Sequence, residues 1–276
     1  MSYAKFIPTV WAAGIERELE RTMVFAENTN RKYEGDAKQY GDSVRILGVG
    51  KPTITKTTDR NITLSDPEEV ENTDITMNIN QIAYYNYMVG DIDKAQMKED
   101  VSGALKAETS EVLGDTMDKY LANMAMQREA VKLENAPILL TKDNILQTID
   151  RAQQRLWEND VKQATAVTIT VTPRFYMILR EAYTKLDTDN SEMMKNGRVG
   201  KYGSIIVKMS NNVANDKGVD YIQVKTDRAI AFAHPLTHVE AYRPESKFAD
   251  AIKGFILYDA KIVRPKEMII LPVKYQ

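Results

Sequence analysis

Residues 51 to 74 read KPTITKTTDRNITLSDPEEVENTD, and they set the strongest limit on how this chain folds. The stretch is rich in Thr, Asp, Glu and Lys, carries β-propensity, and has no face of large apolar residues. A polar hairpin of this kind buries too little surface to be stable alone or to pack on its own chain. The expectation is a projecting hairpin or loop, attached to a body built elsewhere in the sequence.

That body is legible on both sides of the projection. Ile75, Met77 and Ile79 alternate with Thr76, Asn78 and Asn80, and the odd positions continue through Ala83, Tyr85, Tyr87 and Val89. A period of two over that length predicts one long strand running past the edge of its domain, since strands average about 5–6 residues. From Asp93 to about Arg128 the period becomes helical, with Val101, Leu105, Val112, Leu113, Thr116, Met117, Tyr120, Leu121 and Met124 on one face. Unbroken, such a helix is roughly 50 Å long. Gly103 and Gly114 weaken it by about 1 kcal/mol each relative to alanine.

Before the projection, Trp11, Ile15, Leu19 and Met23 recur at every fourth position among charged residues. This is a single apolar stripe on a charged helix. GDSVRILGVGKP then predicts a short strand around Val44 and Ile46. Beyond the long helix, Thr141 is placed to cap a second one, whose buried stripe is Ile145, Ile149, Ala152 and Leu156. Val167, Ile169 and Val171 alternate with threonines as a strand. Thr172–Pro173 opens a third helix with Phe175, Leu179 and Leu186 inward. Residues 219 to 276 read as mostly short strands. Strands and helices interleave without a regular βαβ repeat, so the class is α+β.

No motif for catalysis survives inspection. Gly197, Gly200 and Gly203 in GRVGKYGSIIVKMSNNV follow neither the GxxxxGK[ST] nor the GxGxxG pattern, and a strand follows them in place of a helix. Without a helix N-terminus there is no ready anion site, so the glycines read as a loop feeding a strand with Ile205, Val207 and Met209 on one face. Asn211–Asn212 then turns the chain. LDTDNSE at 186–192 begins like a calcium loop, but Glu192 and Arg198 stand where glycine and glutamate are needed. His234 and His238 flank Pro235 and have no HExxH context, which argues against a metal site. Glu68 and Glu69 lie in the polar projection and read as solubilising charge. Tyr84, Tyr85 and Tyr87 lack the interleaved Arg and Lys of a base-stacking platform. They read as wall or interface residues.

Charge and composition exclude further classes. Lys and Arg total 37 against 39 Asp and Glu, which leaves no basic excess for sequence-independent nucleic-acid binding. The 276 residues contain no cysteine, so disulfides and thiolate sites are ruled out. No apolar run approaches the ~20 residues that span a bilayer. No cofactor is implied, and the chain reads as soluble, from a reducing, cytoplasm-like compartment.

In order and spacing, these parts resemble the major capsid protein of tailed bacteriophages, the HK-ninety-seven-like capsid fold shared with herpesvirus shells and encapsulins. FIPTVWAAGIERELERTMVFAENTNRKYEG and GDSVRI are similar to the N-terminal arm and its junction. KPTITKTTDRNITLSDPEEVENTDITMNINQIAYYNYMVGDIDKAQ resembles the extended hairpin called the E-loop, with its return strand and the start of the spine helix. TVTPRFYMIL with GRVGKYGSIIVKMSNNV is similar to the axial domain, and AIAFAHPLTHVEAYRPESKFADAIKGFILYDAKIVRP to strands of the peripheral domain.

The resemblance implies an arm and junction at 1–48, an E-loop and return strand at 49–92, a peripheral domain from 93–140 with 240–276, and an axial domain at 141–239. It implies self-assembly into pentamers and hexamers of an icosahedral virion that encloses double-stranded DNA, without catalysis or sequence-specific DNA contact. Assembly in the host cytoplasm is expected, with a separate scaffolding protein, a portal and possible decoration proteins as partners. Trp11, Ile15, Leu19 and Met23 on the arm, and Lys56, Arg60, Glu68 and Glu69 on the E-loop, are then assembly contacts to neighbouring copies. An encapsulin-like compartment and a small soluble enzyme are the alternatives.

Overall fold

The computed structural model describes Ile15, Leu19 and residues 23–33, 41–49, 54, 72–90, 101–184 and 200–275. Trp11, Lys56, Arg60, Glu68, Glu69, Leu186, Gly197 and the expected start of the long helix at 93–100 lie outside the described residues.

The alternation from Ile75 to Val89 holds, but the strand is divided. Strand β1 (Ser43–Val49) pairs antiparallel with β2 (Asn72–Asn78) as a two-stranded ribbon. Strand β3 (Gln81–Gly90) belongs to a different sheet. Ile79 and Asn80 form the break, and the Ile79 N–H donates to the Asp42 carbonyl at 3.0 Å. Inward odd positions persist across it, because a break of two residues preserves a period of two. The expected single strand is therefore two strands sharing one phase.

Helix α1 (Val101–Asn123) is 23 residues long, about 34 Å of described helix at 1.5 Å per residue. Leu113, Met117 and Leu121 are buried as expected, as is Met124 just beyond. Val112 is not; it is 60% exposed, since it lies about 140° round the helix from the centre of the Leu113–Met117–Leu121 stripe. A single 3-10 turn, Met124–Met126, ends the helix. Two short strands follow, β4 (Val131–Lys132) and β5 (Ile138–Leu140), then helix α2 (Ile145–Glu158). Ile145, Ile149, Ala152 and Leu156 are all fully buried. Asn144, not Thr141, is the N-cap of α2, and its Oδ1 accepts the Thr141 N–H at 2.8 Å.

Strand β6 (Val167–Val171) is buried on both faces, Thr168 and Thr170 included. Helix α3 (Pro173–Thr184) starts as the Thr–Pro pair predicts, with the Thr172 hydroxyl accepting the Phe175 N–H at 3.3 Å. Hairpin β7 (Lys201–Tyr202) and β8 (Ile205–Met209) turns through Gly203 and Ser204. Gly203 has φ +57°, the left-handed value that a two-residue hairpin loop demands of its first residue. Of the three predicted hinge glycines, Gly203 alone is shown to need that freedom. Met209 is 53% exposed, so the expected inward face of β8 ends at Val207.

Strand β9 (Asn215–Asp216) folds back on β10 (Val219–Thr226). The remaining chain forms β11 (Ile230–Tyr242), β12 (Ala249–Ile262) and β13 (Met268–Tyr275). The first two run 13 and 14 residues, so the expectation of short strands fails here. Pro235 is accommodated because the register shifts between Ala233 and Leu236 in a bulge, where a missing N–H costs no ladder bond. Pro272 sits in β13 between the two stretches that pair with β4 and β5, at 269–270 and 273–275. The gap tolerates a residue with no N–H to donate.

The strands form a ribbon, a three-stranded sheet in the order β11-β12-β3, and an eight-stranded sheet along β4-β13-β10-β6-β8-β7 with β5 and β9 attached. The large sheet takes strands from both the 93–140 with 240–276 segment and the 141–239 segment, with β13 beside β10. One large core spans α1, α2, α3 and the inner faces of both larger sheets. A smaller core lies under the ribbon, where Val44, Ile46, Met77 and Ile79 pack with Ala231, Ala233 and Leu257.

Candidate assembly surface

Two roots and one exposed face stand out. The first root is the segment from Met23 to Tyr33. Ile15, Leu19, Met23 and Phe25 are at most 4% exposed and belong to the large core of their own chain, alongside Leu113, Met117 and Leu121. This corrects the reading of Ile15, Leu19 and Met23 as a stripe waiting for another copy. An i, i+4 stripe shows that a partner exists, not which chain supplies it.

The root is then held by polar contacts at depth. The Asp118 carboxylate accepts the Val24 N–H at 2.6 Å and the Phe25 N–H at 3.1 Å. Burial pushes its carboxyl up, and these N–H groups oppose the push. Lys225 on β10 donates its Nζ to the Asn28 carbonyl at 2.6 Å. It is 1% exposed, and burial holds its ammonium down at about 7 with Lys208 adding repulsion. Lys208 in turn pairs with Glu27 at 2.5 Å. Asn30 bridges to β11, donating to the Ile230 carbonyl at 2.8 Å and accepting the Phe232 N–H at 3.0 Å. Arg31 meets the ring of His234, which leaves this histidine tied to the root and away from His238. The His238 ring lies 5.3 Å from that of Phe255.

The second root is the ribbon. Register from Ser43↔Asn78 to Val49↔Asn72 keeps the two strands paired to their far end, so the segment 50–71 leaves and returns at one place. The sequence places Lys56, Arg60, Glu68 and Glu69 in that segment. Where it rejoins the body, the Asn80 N–H donates to Asp259 at 3.1 Å.

The exposed face lies on the three-stranded sheet. Its inner side presents Ala83, Tyr85, Tyr87, Val239, Ile252 and Ile256 to the large core. Among the described residues, the ribbon packs on its outer side at one end. Beyond it Ile82, Tyr84 and Met88 stand 49%, 81% and 48% exposed along β3. The expected wall and interface roles of the tyrosines thus separate by parity, Tyr85 and Tyr87 inward and Tyr84 outward. Beside them Lys253 pairs with Glu240 at 3.0 Å and lies 5.1 Å above the Tyr242 ring. An apolar strip edged by charge is the surface pattern of a protein–protein contact.

Asp118, Asp259, Lys225 and Gln223 were missed from sequence. Gln223 donates from Nε2 to the Leu121 and Ala122 carbonyls, both at 3.0 Å, and so caps the end of α1. Tyr221, Gln223 and Lys225 alternate with Ile222, Val224 and Thr226, which imitates a water-facing side. Asp118 left one signal, a carboxylate beside the buried positions Met117 and Leu121. Among the described residues no group of His, Asp and Glu is placed to hold a metal ion, and no helix is long and apolar enough to cross a membrane.

No protein-family model matches the chain, and no curated protein matches it. Solved structures do. A structure from Mycobacterium phage Che8 superposes with a TM-score of 0.74 at 24% identity over 90% of both chains. The capsid structure of cyanophage P-SCSP1u gives 0.71 at 16% identity, covering 90% of this chain and 87% of that one. A virus-like particle from Pyrococcus furiosus gives 0.58 at 14%, covering 94% and 96%. The chain has the HK-ninety-seven-like capsid fold, with strands and helices in the α+β arrangement expected.

Proposed function

We propose that this chain is a phage major capsid protein, which self-assembles into the pentamers and hexamers of an icosahedral head around double-stranded DNA. The observation that carries the reading is a capsid fold matched along nine-tenths of its length, in a chain that leaves Ile82, Tyr84 and Met88 exposed on one sheet face. Residues 1–14 and 50–71 are the arm and E-loop that reach neighbouring copies in this reading. In this reading Lys56, Arg60, Glu68 and Glu69 pair with charges on neighbouring copies; a solvent-exposed pair is worth about 0–1 kcal/mol, and many copies add such terms up. A scaffolding protein and a portal complete the assembly in the host cell.

The likeness to a virus-like particle from Pyrococcus furiosus favours a second reading, a protein compartment of the encapsulin kind. Negative-stain electron microscopy of the expressed protein tests both, with particles tens of nanometres across expected. Packaged nucleic acid separates the first reading from the second. Tyr84→Asp is expected to abolish particles while the subunit still folds. A stable monomer at high concentration would sink both readings.

A further inference from the structure

The arm root and the E-loop root are far apart in sequence, yet each is held by a buried carboxylate that accepts backbone N–H groups. Asp118 holds Val24 and Phe25. Asp259 on β12 accepts the Asn80 N–H at 3.1 Å through one oxygen, and through the other the Tyr120 hydroxyl at 2.8 Å and its neighbour Ala260 N–H at 2.7 Å. Both aspartates are nearly inaccessible, 1% and 7% exposed. An ionised or hydrogen-bonding group at that depth loses heavily if its partners leave, because water cannot replace them.

The two clasps meet on one turn of helix. Asp118 and Tyr120 are two positions apart on α1, which puts them about 200° apart around its axis. One side of the turn grips the arm root and the other grips the three-stranded sheet. Between them Met117 and Leu121 are fully buried, and the Tyr120 ring stands edge-on to Tyr258 at 5.4 Å. A helix turn packed on both sides in this way does not slide or rotate locally. Close-packed interiors pass displacement on instead of absorbing it.

We infer that residues 117–121 of α1 are a shared fulcrum that couples the position of the arm root to that of the E-loop root. Asp118, Tyr120 and Asp259 are its positioning residues. The consequence for shell geometry rests on the capsid reading, because only there do both projecting segments bind neighbours. The coupling itself is a property of the single chain.

Hydrogen exchange read by mass spectrometry tests it on the full-length protein, following amides at 24–26 and 78–81. Asp118→Asn keeps the side-chain shape and loses the charge. It is expected to speed exchange at 24–26 and also, by at least about fivefold, at 78–81. Asp259→Asn is expected to act in the reverse direction. Tyr120→Phe removes only the hydroxyl that joins the helix to Asp259, so Asp118→Asn in that background is expected to leave 78–81 unchanged from Tyr120→Phe alone. Effects confined to each variant's own root overturn the inference, as does a remote effect that survives Tyr120→Phe. Tyr120→Phe, which loses one hydroxyl, keeps the test available should an aspartate variant misfold. Particle formation is scored separately by microscopy. Coupling without particles removes the capsid reading alone, and particles without coupling remove the fulcrum alone.

Discussion

The Nζ of Lys225 donates to the backbone carbonyl of Asn28 at 2.6 Å, joining the middle of the large sheet to the Met23–Tyr33 segment across 197 residues of sequence. Burial, the larger cause, and the nearby Lys208 hold this ammonium down at about 7, against its ordinary 10.5. Between those values the unfolded chain keeps a proton that the folded chain has released. The unfolded state then binds more protons, so this group makes stability rise with pH from about 7 toward 10.5, and its penalty is complete below 7. Lys225→Met removes the titration and leaves the Asn28 carbonyl without its donor, at roughly 1–3 kcal/mol. Urea midpoints of both proteins from pH 6 to 9.5 check this. The wild type is expected to gain on the variant as pH rises, and a constant gap would show that the amine does not titrate in this window.

Gly254 lies directly opposite Tyr85 in the sheet, and the tyrosine ring occupies the space of the missing side chain. A Cβ there would meet the Tyr85 hydroxyl at 2.5 Å and the His238 backbone carbonyl at 2.6 Å. The ring could swing aside, but the carbonyl belongs to a paired strand. Gly254→Ala is therefore expected to destabilise the subunit by about 1–3 kcal/mol, the usual cost of overpacking. Chemical denaturation measures it, and a change within about 0.5 kcal/mol would mean that the strands separate more easily than their pairing suggests.

Gly203 and Gly200 looked alike in sequence and differ in the fold. Gly203 holds φ +57° in the β7–β8 turn, whereas Gly200 has no such angle, and neither meets an atom within 4 Å of an added Cβ. Space is thus not at issue, and only backbone conformation distinguishes them. Gly203→Ala is expected to cost about 1 kcal/mol, while Gly200→Ala is neutral or slightly stabilising through the unfolded chain. Thermal melts of the pair decide it, and equal shifts would contradict the turn geometry.

This contrast marks where sequence is informative. Periodicity reports that a side is buried, and it found Ile145 to Leu156, Val167 to Val171 and the inward tyrosines. It does not say what does the burying. Ile15, Leu19 and Met23 carried the same signal that a partner copy would have produced, yet they are buried in the large core of their own chain. Nor does it detect polar groups satisfied at depth. Lys225 and Asp118 are tied to backbone atoms of residues 24–28, contacts that only the folded path of the chain creates. The break at Ile79–Asn80 was invisible for a related reason, since two strands in phase look like one.

Truncation at the N-terminus separates residues 1–14 from the buried segment that follows. Ile15, Leu19, Met23 and Phe25 are core residues, and each buried side chain of this size contributes roughly 1.5–3 kcal/mol. Removing residues 1–30 takes all four, together with the ligands of Asp118 and Lys225, and that sum rivals the 5–15 kcal/mol by which a domain is stable. Such a variant is expected to be insoluble or molten, so loss of particles from it says nothing about the arm. Removing residues 1–14 leaves these four side chains in place. That variant is expected to fold with an unchanged urea midpoint, to elute as a soluble subunit or small oligomer, and to form no closed shells by electron microscopy. Normal shells from the shorter truncation would assign residues 1–14 no part in assembly, and a lowered midpoint would place part of them in the subunit's own fold.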